Sequence, residues 1–127
     1  RDRVVFIEII KLSKCILHSN NTPTNLTEAL QELESQLEDE EKEKIRNLGE
    51  DEFVTLSHMF MGQKLRNLWL YPKDSPLREF FKAEGLFHED HMSDIILRSF
   101  YRHLKGEDIR YEEQLETKPR YKQPDLS

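Results

Sequence analysis

Leu26, Leu30, Leu33 and Leu37 recur at steps of four, three and four residues. That spacing puts four leucines on one face of a helix and fits no strand. The same period returns twice. Phe53, Leu56 and Phe60, extended by Met59, Leu65, Leu68 and Trp69, mark one long helix that Pro72 ends. Met92, Ile95, Ile96, Phe100 and either His103 or Leu104 mark another, closed by Gly106. Val5, Ile9, Leu12 and Ile16, widened by Phe6, Ile10 and Leu17, give an amphipathic N-terminal stripe, with a strand over Val4–Ile10 as the alternative.

Local signals place the helix ends. Asn25 with Glu28 three residues on reads as a capping box. Asp39 is expected to cap a shorter helix carrying Ile45 and Leu48, with Gly49 as its stop. Ser75-Pro76 is a helix start, with Leu77, Phe80 and Phe81 inward and Gly85 as the stop. Leu86-Phe87 then plugs the core from a loop, and His88 or Asp90 caps the helix that follows. Gly62, inside a helix, suggests a close crossing.

These elements predict an all-α fold: a compact orthogonal bundle of about five to six helices with a polar C-terminal tail. Residues 1–111 form the single helical domain, with an amphipathic helix in 1–20, and 112–127 the tail. Phe53, Phe60, Trp69, Phe80, Phe81, Ile96 and Phe100 are expected in one core. With only 36% apolar and 35% charged residues in 127, the helices must be strongly two-faced.

Charge narrows the function. The net charge is −6, and an acidic chain lacks the footprint of a nucleic-acid binder. From Glu28 to Glu52 there are 11 acidic and 3 basic residues. Glu32, Glu38, Asp39, Glu40, Glu41 and Glu43 form a candidate acidic interaction face for a basic protein partner. A solvated helix face is the bland alternative. The single Cys15 forms no intrachain disulfide. The Leu12–Cys15 stretch resembles a lipobox, but Glu8, Lys11 and Lys14 argue against it. No run is long enough for a membrane span. A cytoplasmic location is expected, with room for a removed leader because the chain begins at Arg1.

No residue set supports catalysis, a cofactor or a metal. His88 and His91 stand three apart at a helix start, where zinc chemistry asks for four apart on one face plus a third ligand. The glycines form no phosphate-cradling loop. Arg66 and Asn67, beside Trp69, read either as anchors of the loop Tyr71–Ser75 or, with His88, Arg98 and Arg102, as a candidate polar pocket. Arg98 and Arg102 share a helix face and are expected to pair with the acidic helix that begins at Leu26, or else to take an anionic ligand.

Leu26-Thr27-Glu28-Ala29, Glu41–Leu48, Leu65-Arg66-Asn67-x-Trp69, Met92-Ser93-Asp94-Ile95-Ile96-Leu97 and Ser99-Phe100-x-Arg102-x-Leu104-x-Gly106-x-Asp108-Ile109 form an ordered series. It resembles an uncharacterised bacterial domain family of unknown function over about Leu26 to Gln114. Members carry a Gly-rich Leu-Trp loop after Arg-Asn-x-Trp, where this chain has Leu70-Tyr71-Pro72-Lys73-Asp74. They have Pro after the histidine, where this chain has Glu89. The resemblance implies an α-helical fold and a bacterial source.

Three functions are compatible with these readings. The leading one is a small non-enzymatic protein-binding module, an inhibitor or immunity-type partner of a bacterial effector. The alternatives are a ligand-binding or enzymatic domain with a polar pocket around Arg66, Asn67, His88 and Arg102, and a homodimer through the N-terminal helix.

Overall fold

One helix, Glu89–Leu104, is buried on most of its circumference, and the other elements pack around it. The computed structural model describes residues 10–11 and 22–119. Among these the chain is all α-helical, with no strand: α1 (Leu26–Ser35), α2 (Asp39–Arg46), α3 (Glu50–His58), α4 (Met61–Leu65), a π-helical segment (Arg66–Leu70), α5 (Pro76–Lys82), α6 (Glu89–Leu104) and α7 (Tyr111–Glu116). The N-terminal stripe, apart from Ile10 and Lys11, lies outside the described residues, as does Cys15.

The expected core forms around α6. Phe53, Trp69, Phe81, Ile96 and Phe100 are buried, joined by the α1 leucines, Ile45, Leu77 and Leu86. Phe60 and Phe80 are only partly buried and pack against this cluster from outside. Tyr101 lies near parallel to Phe53 and donates to the Leu48 carbonyl (2.5 Å), tying α6 to the start of α3.

Capping follows the sequence in part. Asn25 accepts from the Glu28 amide (2.9 Å), but the Glu28 carboxylate returns to Thr24, accepting from its amide and its hydroxyl. Ser75 and Pro76 start α5 as expected. Glu38, not Asp39, caps α2, with the Glu41 carboxylate accepting from the Glu38 amide (2.8 Å). Gly49 opens α3 instead of stopping α2, at an ordinary φ of −75°. Gly106, at φ +71°, does end α6, in a conformation that a side chain would strain.

Two further expectations fail. The long helix from Phe53 to Trp69 breaks at Met59 and Phe60, and Met59 and Leu68 point to solvent at 72% and 48% exposure. Of the two residues offered for the last inward position of α6, Leu104 takes it and His103 lies outside the buried stripe. The polar tail does not begin at residue 112: Tyr111–Glu116 is helical, with Gln114 and Leu115 buried against the bundle. The break and the added α7 bring the described α-helices to seven, more than five or six.

Candidate functional site

Arg66 sits against the break in the long helix. The Arg66 side chain is only 4% exposed. Its Nη2 donates to the carbonyl of His58, the last residue of α3 (3.1 Å), and to Gln63 Oε1 (3.2 Å). Its Nη1 donates to Ser93 Oγ on α6 (2.8 Å). The guanidinium therefore caps the C-terminus of α3, where carbonyls lack helical partners and the dipole favours a cation. Asp90 is the carboxylate beside it, 3.3 Å from Nε and 62% exposed. Gly62 makes room: a Cβ there would sit 3.0 Å from Arg66 Nη1 and 3.5 Å from Leu97 on α6.

The other residues of the expected polar pocket divide. Asn67 is exposed and accepts from Gln63 Nε2 (3.0 Å), so Gln63 bridges it to Arg66. Trp69 is buried in the core, and its carbonyl accepts from the Ser75 hydroxyl. His88 is exposed at the N-cap of α6. With Tyr71, Glu89, Asp90 and His91 it lines a shallow cleft of about 310 Å³. His91 titrates below the usual histidine range, first because of burial and then because Lys118 and His88 are near. Among the described residues no group of three or more His, Cys, Asp or Glu is placed to hold a metal ion. The side chains of Arg66 and Asn67 turn to Gln63, Ser93 and His58 rather than to the loop before α5, which Arg66 touches only through its carbonyl, accepting from the Tyr71 amide (2.7 Å). Ser75 anchors that loop, together with Arg78, which donates to the carbonyls of Leu70 (3.0 Å) and Tyr71 (3.3 Å).

Arg98 and Arg102 lie further along α6 in a different network. Arg102 clasps Glu50 with Nε (2.8 Å) and Nη2 (2.9 Å), and donates from Nη1 to the Ile109 carbonyl (2.8 Å). Arg98 Nη1 meets Glu50 (2.7 Å) and Asp51 (2.8 Å). The Arg102 hydrogen bond does most to hold the Glu50 carboxyl at about 2, against the opposing effect of burial. The carboxylates thus come from the first turn of α3, where the helix dipole also favours them. They do not come from α1, as the sequence suggested. It is His103 that reaches α1, 2.8 Å from Glu34, and this contact lowers the Glu34 pKa. Asp51, Asp94, Arg98, Arg102, Gln114 and Lys118 line a polar cleft of about 400 Å³ beside α7. The six pocket candidates therefore do not form one site.

The acidic face is partly engaged in local pairs. Glu32 accepts from Gln36 (2.9 Å), Glu41 caps α2, and Glu43 meets Arg46 (3.0 Å). Asp39 and Glu40 have only long contacts, to Lys42 (3.8 Å) and Lys44 (3.9 Å). Glu38, Asp39, Glu40 and Glu43 are exposed, whereas Glu32 and Glu41 are half-buried. Arg46 turns inward, its Nε donating to the Leu104 carbonyl (2.8 Å).

Sequence reasoning missed Glu50, Ser93, Ser99 and Gln114. The serines carried a signal, since each has apolar residues three and four positions away on its helix face, Ile96 and Leu97 for Ser93 and Ile96 and Ile95 for Ser99. A serine inside a buried face needs a polar partner, and here the partners are Arg66 and Gln114. Among the described residues no helix is long and apolar enough to cross a membrane.

A family model described as Domain of unknown function (DUF6794) matches residues 22–104, from just before α1 to the end of α6. No curated protein and no solved structure matches the chain.

Proposed function

The chain belongs to that domain family of unknown function, and from this premise we propose that it is a small non-enzymatic protein-binding module that offers α2 to a basic protein partner. The observation that carries the reading is an imbalance in how charge is used. Arg66, Arg98, Arg102 and Arg46 are all turned to carbonyls or carboxylates of the same chain. Glu38, Asp39, Glu40 and Glu43 remain exposed along one helix and its cap. Such a ridge steers a basic surface toward it and raises the association rate more than the final affinity. An inhibitor or immunity-type partner of a bacterial effector, acting in the cytoplasm, is the specific form we propose. The pocket reading loses support because its residues divide between two networks.

The test is to immobilise the chain and expose it to extract of the source cells at low and high salt. A basic protein retained in stoichiometric amount is expected, with an association rate that falls as salt rises. The chain carrying Glu38→Gln, Asp39→Asn, Glu40→Gln and Glu43→Gln, which leaves the Glu41 cap intact, should associate about ten-fold more slowly. No stoichiometric partner at any salt concentration, or a partner whose rate ignores the four substitutions, overturns the reading.

A further inference from the structure

The family match stops at the end of α6, yet α7 lies beyond it and fastens back onto residues inside it. Gln114, buried, donates from Nε2 to Ser99 Oγ on α6 (3.0 Å) and to the Ile109 carbonyl (2.9 Å). Leu115 is wholly buried in the core cluster. Lys118 Nζ reaches Asp94 on α6 (3.1 Å), and the Tyr111 ring stacks on Phe80 of α5, centroids 6.3 Å apart. The receiving residues Phe80, Asp94 and Ser99 belong to the matched span.

Several features of α7 lower the cost of lifting it. A six-residue helix has little stability of its own, so its order comes from what it touches. Two of its fastenings are polar side-chain contacts, which water can replace at small net cost. The chain enters α7 through Arg110 at φ +53°, ψ +56°, a left-handed conformation that an L-residue adopts only against its preference. Elements with these properties open locally at free energies well below that of global unfolding.

We propose that α7 is an intramolecular strap seated in a helix-accepting site on α6, and that the site receives a helical segment of a protein partner when the strap lifts. The partner segment would present a glutamine followed by a leucine, with a lysine three residues after the leucine. The glutamine meets Ser99, the leucine fills the Leu115 socket and the lysine pairs with Asp94. This surface is independent of the α2 ridge, and the inference stands whether or not a basic partner binds there.

The experiment titrates a labelled peptide of residues 107–119 into the full chain and into the full chain carrying Leu115→Asp. The wild-type chain, whose strap competes, should bind the peptide at least ten-fold more weakly than the variant. A peptide carrying Leu115→Asp should bind neither. In the wild-type chain, amides of Glu112–Lys118 should exchange with deuterium at least a hundred-fold faster than those of Ile95–Tyr101. Equal affinity for both chains, no binding to a folded variant, or exchange of α7 at the rate of α6 overturns the proposal. Should Leu115→Asp unfold the chain, Gln114→Ala with Lys118→Ala takes its place. The expected gain is then about three-fold, and no gain overturns the proposal.

Discussion

Arg66 and Arg102 are both nearly out of solvent, with side chains 4% and 11% exposed, and both brace α6 against α3. Their surroundings differ. Arg102 faces a carboxylate, Glu50, in a two-pronged charge-assisted contact. Arg66 holds neutral oxygens and an amide, and its nearby carboxylate is mostly in water. The first site balances charge against charge at the edge of the bundle. The second places a cation at the negative end of a helix, deep in the packing, where it donates to the carbonyl of His58. The contrast shows that one residue type joins the same two helices by two different mechanisms, and burial decides which is harder to replace.

The sharpest way to break this contrast is to remove Arg66. Arg66→Met keeps the apolar stem but leaves Ser93 Oγ and the end of α3 without their donor. We expect a loss of about 3 kcal/mol in unfolding free energy, read from urea midpoints. Arg66→Lys should recover only part of it, because a single ammonium lacks the planar fork that reaches α3 and α6 together. A loss below about 1 kcal/mol would mean that α3 ends without help from the arginine.

The charge-balanced site should respond to acid and the buried one should not. Glu50 titrates at about 2 in the folded chain against an ordinary 4.5. Because its folded pKa is depressed, its stabilisation is present above the unfolded value and is lost as pH falls from about 4.5 toward 2. After allowance for solvent screening we expect Glu50→Gln to cost about 2 kcal/mol at neutral pH. Urea midpoints collected between pH 6 and pH 2 should fall less steeply for Glu50→Gln than for the wild-type chain. Arg66→Met should keep the wild-type slope.

How much of this was legible beforehand depended on the length scale of the interaction. Helices whose apolar residues keep strict period, such as Leu26–Leu33 and Met92–Phe100, read correctly because the pattern and the packing are the same fact. The Ser75-Pro76 start read correctly because capping is local. The break at Met59–Phe60 did not, because the contact that meets it is Arg66 reaching back eight residues to His58. Hydrophobic spacing carries no trace of such a bond. The Glu50 network joins residues about fifty positions apart, and sequence showed the arginines without their partner. Grouping Arg66 with Arg98 and Arg102 failed for the same reason: side chains of like charge were assigned to one site, whereas Arg66 meets α6 at Ser93 and the other two stand further along that helix, facing Glu50.

Gly62→Ala offers a finer probe of the buried site. In an ordinary helix the change stabilises by about 1 kcal/mol. Here the new Cβ would stand 3.0 Å from Arg66 Nη1, so the guanidinium must give way by a few tenths of an ångström while it is held to Ser93. We expect a net loss of about 1 kcal/mol. In the Arg66→Met background the clash is gone and the sign should reverse. A double-mutant cycle measures that coupling directly. An additive cycle would separate the glycine from the arginine.

Asp51 gives the smallest effect and the cleanest control on the charge-balanced site. Its contact to Arg98 Nη1, at 2.8 Å, is as short as the 2.7 Å contact from Glu50 to the same atom. The two carboxylates differ in solvation: the Asp51 side chain is 90% exposed and the Glu50 side chain 25%. Water around Asp51 screens the attraction and compensates for its loss, so contact distance alone should carry little stability. Asp51→Asn is therefore expected to leave the urea midpoint within the scatter of the wild-type measurement, at pH 7 and at pH 3 alike. If instead it matches the effect of Glu50→Gln, proximity and not burial sets the strength of this network, and the distinction drawn between the two arginine sites loses its basis.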